Sequence, residues 1–118
     1  MQAMTTEMKG LAVSISNCRW TRDSELVLKY TLEYVTAMNN WNLCSSEDIV
    51  IRYFDSNQMQ LGPDVKKRIL LGSAFAKQQE QSVGVPVILL PPDKAASFEI
   101  ELRAGPLIAP KQTIPKKP

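Results

Sequence analysis

Glu99 and Glu101 stand two residues apart in the run Phe98-Glu-Ile-Glu-Leu102. In an extended strand both carboxylates share one face, roughly 7 Å apart at a rise of about 3.3 Å per residue. That is close to the spacing at which paired carboxylates hydrolyse glycosides. Arg103 lies in the same phase, and surface strands routinely carry such charges, so a solvated face is the preferred reading. The chain has no histidine, which removes the commonest general base near neutral pH and the commonest metal ligand. Serine–histidine and cysteine–histidine nucleophile pairs are therefore excluded. Two cysteines without histidine do not complete a four-ligand zinc site. The five glycines are scattered at Gly10, Gly62, Gly72, Gly84 and Gly105 and form no phosphate loop. These residue types predict a non-catalytic protein with no cofactor and no metal.

The remaining candidates are recognition residues. Trp41 lies inside Asn39-Asn40-Trp41-Asn42, in a segment from Ala37 to Glu47 that has no periodicity and is rich in turn formers. Asn40, Trp41 and Asn42 are candidate partner-binding residues, because loops at sandwich ends often carry recognition. Trp20 is expected to cap the core, and Trp41 has the same alternative. Lys66, Lys67 and Arg68 are the other candidates. They suit an edge strand protected by lysine, or a contact with an acidic partner or anionic lipid. A carbohydrate or small ligand held by Trp41 with Tyr53 or Tyr30 is the competing function.

Cys18 and Cys44 flank the longest alternating segment, whose ten core residues would span about 33 Å if straight. A disulfide needs Cα atoms about 6 Å apart, so two free thiols are preferred to a bond. Pro115-Lys-Lys-Pro118 has the spacing of a polyproline ligand, although a linker is the simpler reading.

The elements that must position these residues follow from hydrophobic period. In Glu25–Thr36, Leu26, Leu28, Tyr30, Leu32 and Tyr34 alternate with Val27, Lys29, Thr31, Glu33 and Val35. A period of two sustained over ten residues is that of a half-buried strand, here the central one. Further strands are predicted at Gly10–Asn17, Asp48–Phe54, Met59–Leu61, Val65–Leu71, Val83–Leu90 and Ala96–Arg103. Pro86 lacks an amide donor and places its strand at an edge or bulge. Ser73–Gln81 has helical preference behind a possible Ser73 cap, and such a short helix requires Phe75 to dock on the core. Seven short alternating segments without a βαβ rhythm predict an all-β, antiparallel two-sheet immunoglobulin-like sandwich, with a small β-barrel as the alternative.

The chain has 118 residues, 44% hydrophobic and 22% charged, and a formal net charge of +2. One domain is expected. Residues 8–104 would form the sandwich, 1–7 a leader and 105–118 a Pro/Lys-rich tail that is extended or disordered from Lys111 onward. A nucleic-acid binder shows a basic stripe with interleaved aromatics; here there are only Lys66-Lys67-Arg68 and a few tail lysines, so no nucleic acid is expected. The longest apolar run, Val85 to Leu90, is too short to span a bilayer. Met1–Met8 lacks the basic start and apolar core of a secretory signal. Two locations remain: the cytoplasm, or an extracytoplasmic compartment if a signal was removed.

Ile51-Arg-Tyr-Phe-Asp55 at a strand end, and Leu89-Leu-Pro-Pro-Asp-Lys before Phe98-Glu-Ile-Glu-Leu102, resemble segments of the small bacterial envelope sandwiches of the FxLYD and LEA14-like kind. Ile51 stands where that family has Phe, and its glycine after the Asp turn is absent. The resemblance implies a non-catalytic accessory module of an envelope or secretion assembly that binds another protein, and it supplies no site residues. A homodimer through a sheet edge is a further expectation.

Overall fold

The computed structural model describes residues 4–8, 10–35, 43–77, 79–104 and 107–117. At its centre is the long alternating stretch, strand β3 (Leu26–Tyr34), flanked by β2 (Leu11–Trp20) and β6 (Ser82–Leu89). With β1 (Met4–Met8) outside β2, these make one sheet in the order β1-β2-β3-β6. The second sheet has the order β5-β4-β7-β8, from β4 (Ser46–Phe54), β5 (Val65–Leu70), β7 (Ser97–Leu102) and β8 (Leu107–Ile108). Strand β9 (Gln112–Thr113) also pairs with β7. Every pairing is antiparallel, and the sheets pack as a sandwich without closing into a barrel. Among the described residues no helix is long and apolar enough to cross a membrane.

The core follows directly from the period-two pattern. Leu26, Leu28, Tyr30 and Leu32 of β3, with Leu11, Val13 and Ile15 of β2, pack against Ile49, Ile51, Phe98, Ile100 and Leu102 of the other sheet. All are fully buried or nearly so. Fully burying each such side chain contributes roughly 1.5–3 kcal/mol.

Strand β2 runs three residues beyond Asn17, where the alternation breaks. The register slips between Ser16 and Arg19, and Asn17 takes a positive φ of 60°. This β-bulge adds one residue and reverses the phase. Odd residues Leu11, Val13 and Ile15 point inward before it, while Cys18 and Trp20 pack against the core after it.

Three other expectations change. Met59–Leu61 makes one bridge, Phe54 with Gln60, in place of a strand. The Asp55 carboxylate accepts bonds from the amides of Asn57 and Met59 at 2.8 and 3.0 Å, holding the chain in a turn there. Helix α1 covers only Ser73–Ala76, with Gly72 at its N-cap and no side-chain cap bond, so Ser73 does not cap. The helix exists on the expected condition: Phe75 is fully buried and stacks on Tyr34, ring centroids 4.5 Å apart, while Tyr34 Oη donates to Phe75 O at 3.1 Å.

The chain's two ends also join the sheets. Residues 4–8, assigned mostly to a leader, pair with Leu11–Ile15. Leu107, Ala109 and Gln112, assigned to a tail, are buried. Ile114 donates to Ala96 O, and Trp20 Nε1 donates to Pro115 O at 2.6 Å.

Candidate interaction surface

The outer face of the β4–β7 pair carries the two glutamates. Arg52 lies opposite Glu99 in the ladder and reaches Glu99, Glu101 and Asp64 at 3.5, 2.8 and 3.2 Å. Its guanidinium is held still more firmly protonated, chiefly by the Glu101 hydrogen bond. The Asp64 carboxyl is lowered by its hydrogen bond from Gln60, 2.6 Å long, and by Arg52. Both glutamates are thus tied to one cation in a solvated face. Further along β4, Lys111 Nζ sits 3.7 Å above the Phe54 ring.

Lys66, Lys67 and Arg68 lie on β5, an edge of the second sheet. Lys66 and Arg68 point to the outer face and share Asp48, at 3.7 and 3.2 Å. Lys67 points the other way and crosses to the first sheet, donating to Ile88 O of β6 at 2.7 Å. β5 and β6 are thereby the two edges of one side wall. Val65 and Leu70 on β5, and Ile88 and Leu90 on or just after β6, are four of the seven large apolar side chains exposed among the described residues. Leu70 is 74% and Leu90 70% exposed. The signal for both was present in the sequence: Leu70 is in phase with Lys66 and Arg68, and Leu90 with Pro86 and Ile88.

Asn40, Trp41 and Asn42 lie outside the described residues, so the structure brings nothing to them. Tyr30 and Tyr53, offered as partners of Trp41 in ligand binding, are buried in the core. Burial raises both phenols above the usual tyrosine range, and a backbone hydrogen bond with Leu90 offsets part of the shift at Tyr53. Cys18 and Cys44 are free thiols. Half-burial raises the Cys18 thiol.

Trp20 caps one end of the sandwich as expected and also holds the last described residues. A hollow of about 280 Å³ there is lined by Trp20, Pro91, Pro92, Ile114 and Lys117, and Lys117 Nζ lies 4.8 Å from the Trp20 ring centroid. Pro115 to Lys117 therefore lie against their own domain, while Pro118, the second proline of the polyproline spacing, lies outside the described residues. No model of a known protein family matches the chain, and no curated protein matches it.

Proposed function

We propose that the protein is a non-catalytic module that binds another protein. The observation that carries this is the β5 edge, where Val65 and Leu70 are exposed beside the basic triplet, with Ile88 and Leu90 exposed on the outer face of the other sheet, at the facing edge strand β6. Unpaired strand backbone beside exposed apolar and basic side chains favours a protein partner. The strand order supports immunoglobulin-like wiring: β2, β3 and β6 follow one another in one sheet, and β5, β4, β7 and β8 in the other. Together with the resemblance to small envelope sandwiches, this favours an accessory role in an envelope or secretion assembly. The charged face is a poor hydrolytic site, because Arg52 engages both Glu99 and Glu101.

The test uses the whole chain as bait in the native lysate, beside the double variant Leu70→Asp with Leu90→Asp. One partner recovered stoichiometrically by the parent and lost by the variant is the expected result. Equal recovery by both, or no partner at all, would count against the reading.

A further inference from the structure

A sandwich exposes the backbone of its edge strands, and those edges differ sharply here. In the β3–β6 ladder, Tyr34 donates to Gln81 O at 2.7 Å, directly across the strands. Bonded pairs alternate in an antiparallel ladder, so Leu32–Val83, Tyr30–Val85 and Leu28–Val87 are bonded. Gly84, Pro86 and Ile88 consequently turn their backbone groups outward. Pro86 has no N–H to offer at that edge, and the Ile88 carbonyl already accepts from Lys67. β6 is closed to a further strand. On the far side, β8 and β9 are two residues each and are separated by Pro110.

β5 is the opposite case. Leu71 donates to Ser45 O at 2.8 Å, directly across the β4–β5 pair. The bonded pairs are then Glu47–Ile69, Ile49–Lys67 and Ile51–Val65. Lys66, Arg68 and Leu70 turn their amides and carbonyls to the open side, and among the described residues no other backbone group bonds them. No proline interrupts β5. The charge is also one-sided. Lys66 and Arg68 face a single carboxylate, Asp48, on the outer face, Lys67 turns to Ile88 O of the other sheet, and Glu47 is buried and accepts from Cys44 N. Two cations against one carboxylate leave one positive charge on the outer face of this edge, and Lys67 adds a second on its other side. Lys66 and Arg68 side chains are 60% and 64% exposed.

We propose that β5 accepts one extended acidic segment of another protein as an added strand. Its backbone would pair with Lys66, Arg68 and Leu70, and its acidic side chains, all on one face, would lie beside Lys66 and Arg68. A second copy of β5 is a poor occupant, because antiparallel self-pairing sets these cations against one another. The proposal rests on the protein-binding reading and specifies its surface.

The probe is a fluorescein-labelled ten-residue peptide of alternating Glu and Val, titrated by polarisation at low salt and followed by amide hydrogen exchange. Saturable binding is expected, with exchange at Lys66, Arg68 and Leu70 slowed at least about tenfold. Arg68→Pro should weaken binding at least about tenfold, since it places at the β5 edge the gap that Pro86 makes in β6 while sparing the β4 ladder. Should that variant fold poorly, the wild-type protein decides alone: a probe N-methylated at alternate amides, or one with Lys in place of Glu, should not bind. Absence of saturable binding, protection at β1 instead, or equal binding of the methylated probe would overturn the proposal. A wild-type dimer abolished by Arg68→Pro would put a second copy on the edge and overturn it too. Loss of the native partner in the Leu70→Asp, Leu90→Asp variant but not in Arg68→Pro would leave the binding module standing and remove the added strand.

Discussion

Tyr30 places a hydroxyl in the middle of the core with no hydrogen-bond partner among the described residues. A buried donor without a partner forfeits roughly 1–3 kcal/mol of solvation, so Tyr30→Phe should raise stability by about 1 kcal/mol in urea unfolding. The same burial has a pH consequence. The folded state holds the phenol protonated well above its ordinary range, whereas the unfolded chain ionises near pH 10. Above that pH the folded state binds more protons, so stability is full below about pH 10 and falls as pH rises. Tyr34 and Tyr53 shift in the same direction, and Cys18 begins the decline at lower pH. Urea midpoints measured between about pH 8 and about pH 11 should decline in the parent and decline less steeply in Tyr30→Phe. An equal slope in both would show that another group governs the alkaline limb.

At the scale of elements, α1 shows packing deciding over propensity. Four residues are too few to hold a helix in water, and only the Phe75 ring on Tyr34 gives them a fixed place. Phe75→Ala should therefore lower stability by about 3–5 kcal/mol, with slowed amide protection lost across Ser73–Ala76. A loss below about 1 kcal/mol would mean that the ring is dispensable. Strands β3, β4 and β7 were readable in advance because each keeps one face on the core along its whole length. The end of β2 was not, since a bulge inverts the pattern and makes two inward runs look like a strand followed by a loop. β8 and β9 left no period to read: two-residue strands around Pro110 gain their place from β7 alone. The basic triplet was legible as an edge, but its division was not. That Lys67 would cross to Ile88 depends on which edges of the two sheets meet, a property of the assembled sandwich.

For the molecule as a whole, the last strands belong to the fold. Leu107 and Ala109 are buried, and Leu107 belongs to β8, which with β9 covers the outer side of β7. A chain ending at Leu102 would open the core and leave β7 unpaired on that side, so it should lose cooperative urea unfolding. A sharp transition at the parent's midpoint in that truncated chain would contradict this account. The sandwich also contains a segment of a different character. Val83-Gly-Val-Pro-Val-Ile-Leu-Leu90 carries no charge and is dominated by β-branched and aliphatic residues, the composition from which dry steric zippers are built. It lies on an edge, where such a segment could template its own copies into a fibril. Pro86 breaks the run in the middle, so the residue that closes this edge to a partner strand is also the chain's safeguard against amyloid.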